Sequence, residues 1–304
     1  MAVRAGLVVF VRGSLRVHAA ALEDLWLRLQ AGLLRSRIGW YRPQRQTAWL
    51  QLPEASARGS FTDLFGFGDP LVGAWNLELS EHGAGTSDQE SEGLWLRFTD
   101  LAAVRDMERA SSFRVLFPAE TPSATVAALG EWVINHLPLW WGAAGFVFHH
   151  RQGSNVAAHK QMAALAKRYW GVQIHDMTAL QWDALRGMPG VNWLNLIGKD
   201  FASTRELDIE DLGATGTAGL AEAGVFHRAG PTGVALAAGP GPLRGDINTA
   251  EDLKIYRHVA RLMKPLLLDE HTPLFGPFAR AEVLAAWLGR FTDPQAWLEC
   301  DVAD

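Results

Sequence analysis

The stretch MPGVNWLNLIG, residues 188–198, decides how this chain folds. A Pro-Gly turn leads into an almost wholly apolar run broken only by Asn192 and Asn195. A short apolar run bounded by turn signals reads as a strand. Taken as a strand from Val191, alternation puts Val191, Trp193, Asn195 and Ile197 on one face. Asn192, Leu194 and Leu196 take the other. Both faces are mostly apolar, so the strand is expected to be covered on both sides. Each asparagine is then a buried amide whose expected partners are backbone groups of neighbouring loops. Pro189, Gly190, Asn192, Trp193 and Asn195 therefore read as a structural motif.

Upstream, Val3–Val11 reads as a strand, followed by a helix that Ser14 caps. Leu22, Leu25, Trp26, Leu29 and Leu33 fall at helical spacing. Strand-like pieces follow at 47–52, 71–79, 93–98, 113–117 and 143–150, joined by segments rich in Gly, Pro and Ser. A helix is expected from Ser123, with Val126, Leu129, Val133 and Leu137 on one side, stopped by Pro138. Asn155 caps a third helix that Gly171 ends. Beyond the motif come two short strands, AGVFHR and TGVALAAG. A helix from Thr249 follows, with Asp252 as its capping-box partner, and a last helix spans Ala279–Phe291. Strands come in runs without regular strand–helix alternation, which predicts an α+β fold with largely antiparallel sheets flanked by helices. The chain reads as one domain over 1–304, and a division into closely joined lobes, 1–155 and 156–304, is the other organisation it allows.

The 304 residues carry 33 acids against 28 bases, a net charge of −5. Nucleic-acid binding normally needs the opposite balance, so the expected partner is a basic protein. One cysteine, Cys300, rules out an internal disulfide framework. No window reaches the length of an apolar membrane span, and Leu7–Val11 is too short for a signal-peptide core. A cytoplasmic protein is expected.

Catalytic motifs fail. GxGxxG after a strand, the Walker loop and the GxSxG elbow are all missing from the sequence. In GPGPLRGD at 239–246, two prolines remove donors that a phosphate cradle needs. His149 and His150 would point to opposite faces of a strand, and His159 and His175 have no partner at zinc-like spacing. An enzyme with a pocket around His149, His175 and Asp176 is one alternative. A carbohydrate-binding module with Trp140 and Trp141 as its surface aromatics is the other. Two acidic concentrations stand out instead: 78–92, with Glu78, Glu81, Asp88, Glu90 and Glu92, and ELDIED at 206–211. Neither has calcium-loop spacing. Such a patch attracts a cationic partner and speeds encounter.

PGVNWLNLIG at 189–198 resembles the signature of the type VI immunity family. Further blocks fall in that family's order: LVVFVRGSLRVHAAAL, LPLWWGAAGFVFHH, ALAKRYWGVQIHD, AGVFHRAGP, RGDIN and IYRHVARLMKPL. The likeness spans nearly the whole chain, and Trp170 departs from it where the family has proline. The resemblance implies a non-enzymatic antidote that binds and neutralises a type VI secretion system toxin encoded by an adjacent gene. That toxin is expected to be a basic nuclease of restriction-endonuclease type. The resemblance carries over no catalytic, cofactor or metal residue. The contact candidates are Asp208, Glu210, Asp211, Glu90 and Glu92.

Overall fold

The computed structural model describes residues 2–31, 38–43, 48–52, 75–82, 93–101, 109–149, 156–174, 177–209, 212 and 217–302. Among them, eleven strands form one sheet. These are β1 (Ala2–Arg12), β2 (Trp40–Pro43), β3 (Leu50–Gln51), β4 (Trp75–Ser80), β5 (Trp95–Asp100), β6 (Ala110–Leu116), β7 (Leu139–His149), β8 (Val172–Gln173), β9 (Leu194–Gly198), β10 (Val225–Ala229) and β11 (Gly233–Ala238). The order is β10-β11-β9-β7-β1-β6-β5-β4-β2-β3, and β8 pairs with β7. Among the described strand pairs, only β7–β8 is parallel. The helices are α1 (Ala19–Gln30), α2 (Ser123–His136), α3 (Val156–Arg168), α4 (Met177–Asp183), α5 (Lys199–Ser203), α6 (Thr217–Glu222), α7 (Lys254–Leu262), α8 (Ala281–Leu288) and α9 (Pro294–Glu299). This is the α+β class that the runs of strands predict.

The strand registers sort side chains into two faces. One apolar row runs Leu50, Tyr41, Leu79, Leu96, Val115, Leu7, Ala144, Leu194. Helix α2 covers this face at β9. A Cβ on its Gly130 would sit 2.7 Å from a Leu194 methyl and 3.4 Å from a Leu196 methyl, so the helix approaches through a residue without a side chain. Helix α1 buries Leu22, Leu25, Trp26 and Leu29, each stabilising by about 2 kcal/mol relative to exposure. It is tied to α2 where Trp132 Nε1 donates to Asp24 Oδ2 at 2.7 Å. On the opposite face, Leu180 of α4 and Trp287 of α8 close over Val8, Trp141 and Ala143.

The opening motif departs from a strand over its first half. The ladder begins at Leu194, not Val191, because the flank of β7 is shared. Strand β9 pairs with Trp141–Ala144, and β8 takes over at Phe146 and Val147. Val191–Trp193 cross between the two, where Gln173 Nε2 donates to the Val191 carbonyl at 2.7 Å. Asn195 then does for the loop what a ladder would have done. Its Oδ1 accepts from the Asn192 amide at 2.9 Å, and its Nδ2 donates to the Asn192 carbonyl at 2.9 Å and the Leu236 carbonyl at 3.4 Å. The buried Asn192 Oδ1 has no hydrogen-bond partner among the described residues.

Three further expectations change. Thr249 ends a 3-10 turn, Ile247–Thr249, and α7 starts only at Lys254. Ala250 turns left-handed at φ 53°, and Asp252 Oδ1 accepts from the Lys254 amide at 2.9 Å. Trp140 and Trp141 are no surface platform: they are 4% and 1% exposed. A bulge in β7 opposite Phe10 and Val11 accommodates the adjacent rings. Trp140 then packs on Phe201, and Trp141 on Phe10. The short helices α4, α5, α6 and α9 have too few turns to show a period and went unread. Ser14 caps as expected, accepting from the Arg16 amide, although the first turn is 3-10. Leu33 and Asn155 lie outside the described residues.

Burial lowers the pKa of His18, His227 and His271; at His271 the charge of Asp183 opposes the shift. The folded chain thus holds these imidazoles neutral, whereas the unfolded chain protonates them near pH 6.5. Their contribution is full above that pH and is lost as pH falls toward the depressed folded values. Melting temperature is expected to drop between pH 7.5 and 5.5, and His271→Gln to shrink the drop. A melting temperature flat across that range contradicts this account.

Candidate partner-binding surfaces

Of the acidic candidates, Asp208 is placed on the surface just beyond α5. The segment turns at Glu206, whose φ of 55° reverses the chain after the helix. Amides of Arg205 and Leu207 bond back to the Ala202 carbonyl at 2.9 and 3.1 Å. Ile209 and Leu212 are 8% and 5% exposed and anchor the segment from inside. Glu206 and Asp208, just before these apolar anchors, face solvent. Glu210, Asp211, Glu90 and Glu92 lie outside the described residues, as do His150, His175 and Asp176.

The rest of the first acidic concentration splits. Glu78 accepts from Arg42 at 2.7 Å and from Trp95 Nε1 at 3.3 Å. Glu81 accepts from the Leu94 amide at 3.1 Å. Both are committed to the sheet and its connections. The glycine-rich 239–246 segment does form an anion-accepting turn, and the chain fills it itself: Glu251 Oε2 takes the Gly245 and Asp246 amides at 2.6 and 3.1 Å. Nearby, two open depressions of about 460 and 490 Å³ share Asp252 and Lys254. Those two side chains pair with each other at 3.1 Å. Among the described residues, no group of three or more His, Cys, Asp or Glu side chains is placed to hold a metal ion.

A second surface was not read from the sequence. Registers align Arg42, Glu78, Arg97, Arg114 and Val8 in one row across β2, β4, β5, β6 and β1. The adjacent row on the same face holds Trp40, Ser80, Trp95 and Leu116. Trp40, Arg42, Trp95, Arg97 and Arg114 are all half-buried. Arg114 lies 5.9 Å from the Trp95 ring and Arg42 lies 4.9 Å from Trp49. Burial, then the charges of Arg97 and Arg4, pull the Arg114 pKa down to about 10. The residues come from distant segments, so no local window shows the cluster. The one available signal is the repeated Trp-x-Arg of WYR at 40–42 and WLR at 95–97 on two short strands.

The described surface of the broad sheet thus carries charged and aromatic side chains from several strands. A family model described as "Type VI immunity for VRR-NUC" (TsiV) matches residues 74–291. The chain belongs to this family of type VI immunity proteins. Its fold is similar to that of the Pseudomonas aeruginosa T6SS protein PA0821, with a TM-score of 0.70. That likeness covers 97% of this chain and 86% of the other at 15% identity, and at such identity it concerns the fold. No curated protein matches the chain. No helix among the described residues is long and apolar enough to cross a membrane.

Proposed function

We propose that this chain neutralises a VRR-NUC nuclease toxin by binding it directly, acting in the cytoplasm and without catalysis of its own. The observation that carries the reading is the family match, which runs from the start of β4 to just past α8. Physical chemistry supports it. A nuclease must present positive charge to phosphates. A chain of net charge −5 with Glu206 and Asp208 exposed is suited to meet such a surface. The toxin is proposed to be encoded by the adjacent gene. Co-expression with it tests the reading: the chain rescues growth and co-purifies as a stable complex. Continued killing at equal expression, with no complex, ends the proposal.

The acidic segment makes a kinetic prediction. Charge reversal at Asp208, Glu210 and Asp211 is expected to slow association roughly threefold to tenfold at low salt. It should also flatten the salt dependence, while dissociation changes little. Stopped-flow mixing at several ionic strengths reads all three quantities. An unchanged association rate removes this segment from the interface.

A further inference from the structure

Arg97 and Arg114 stand directly opposite each other on β5 and β6, with their side chains on one face. Cross-strand neighbours lie about 5 Å apart at Cβ, and like charges there repel. Among the described residues, the Nε atoms of both arginines are buried without a hydrogen-bond partner. On the far side of Arg97 the register offers Glu78, yet that carboxylate turns away to Arg42 and Trp95. Arg4, the second positive charge acting on Arg114, is itself engaged with the Phe117 and Gly93 carbonyls. Half-buried positive charge without an acid works against the folded state. Arg290 shows what this chain does with an arginine needed for structure. That side chain is fully buried, donates to the Trp170 and Trp287 carbonyls at 2.7 Å, and lies over two aromatic rings. Arg97 and Arg114 have no such carbonyl cradle among their hydrogen bonds.

We propose that the Arg97–Arg114 pair is the receptor for a carboxylate side chain presented by the toxin, with Trp40 and Trp95 as the apolar shoulder of the contact. A guanidinium fork matches a carboxylate in bidentate geometry. Tryptophan beside arginine is the composition of residues that dominate interface energies. The position fits too. On this face α4 and α8 cover β1 and β7, and Arg109, at the head of β6, lies over Trp182 of α4 at 3.6 Å. The row becomes accessible from Arg114 outward. A free oxyanion would satisfy the two charges and leave both tryptophans half-exposed. A protein surface satisfies all four.

The inference rests on direct toxin binding, so wild-type complex formation is established first. Failure there overturns the proposed function and not this contact alone. The double variant Arg97→Gln/Arg114→Met is then expected to weaken toxin binding about 30-fold or more. Its melting temperature should hold or rise, because repulsion is relieved. Arg97→Lys/Arg114→Lys keeps the charge but loses the fork, and should fall between the two. Double-mutant cycles against acid-to-amide variants of the toxin should find one carboxylate coupled to the pair. Wild-type affinity in the Gln/Met variant overturns the proposal. So does a lowered melting temperature with unimpaired toxin binding by the Lys/Lys variant, which marks a structural pair. Titration with inorganic phosphate separates the remaining source. Phosphate bound at the pair, with toxin affinity undiminished by the ion, assigns the site to a free anion and overturns the toxin contact.

Discussion

Gly198→Ala is expected to cost about 4 kcal/mol or more, among the largest losses a single methyl group can cause. Gly198 closes β9 and precedes α5, with an ordinary φ of −75°, so backbone freedom is not the reason. Space is. An added Cβ would overlap the Leu139 carbonyl oxygen and sit 2.7 Å from the Trp140 oxygen. Both are backbone atoms at the bulged end of β7, held by the burial of Trp140 and Trp141. Neither can swing aside as a side chain would. Melting temperature is expected to fall by roughly 6 °C or more. Gly39→Ala is the control, since its added methyl meets only the Glu81 carbonyl at 3.4 Å, and it should stay within about 0.5 kcal/mol of wild type. Equal melting temperatures for Gly198→Ala and wild type would refute the close approach.

Asn195→Leu is expected to destabilise by about 3–5 kcal/mol. Leucine matches the apolar surroundings and the volume, so packing changes little. The loss is polar. The amide and carbonyl of Asn192 both lose their Asn195 partner, and the Leu236 carbonyl loses a weaker one. Each buried group left unsatisfied costs about 1–3 kcal/mol. Asn195→Asp should be no better, because it keeps the acceptor, removes the donor, and adds charge at a site with no exposure. Chemical denaturation reads the difference as a shifted midpoint at unchanged slope. A loss below about 1 kcal/mol would mean that the loop Val191–Trp193 is held by its other contacts, Gln173 Nε2 on the Val191 carbonyl, Trp193 Nε1 on the Gly239 carbonyl and the Trp193 carbonyl on the Ala238 amide.

Elements with enough residues to show a period were legible in the sequence. Val126, Leu129 and Val133 marked α2, and Leu253, Tyr256, Ala260 and Met263 marked the buried face of α7. The α+β class followed from runs of strands. Boundaries set by distant partners were not legible: β9 begins at Leu194 because β8, twenty residues upstream, occupies the adjoining flank of β7. The adjacent tryptophans read as a surface pair because they follow a Pro-terminated helix, whereas β7 is covered on both faces and buries consecutive residues along most of its length. Both asparagines are buried as the sequence predicts; Asn195 finds the expected backbone partners, whereas Asn192 Oδ1 has none among the described residues. The surface is harder than the core. Asp208 is exposed as a local charge pattern suggests, whereas Arg42, Arg97 and Arg114 become neighbours only through strand register.

The most direct test of toxin neutralisation by binding is a titration of the purified chain into the active VRR-NUC toxin. Residual nuclease activity and complex formation should be followed in the same samples. Direct binding predicts that activity falls linearly and ends at a fixed molar ratio, which equals the stoichiometry of the isolated complex. Nuclease activity that persists at saturating chain, or that disappears at a small fraction of equimolar chain without a complex, contradicts it.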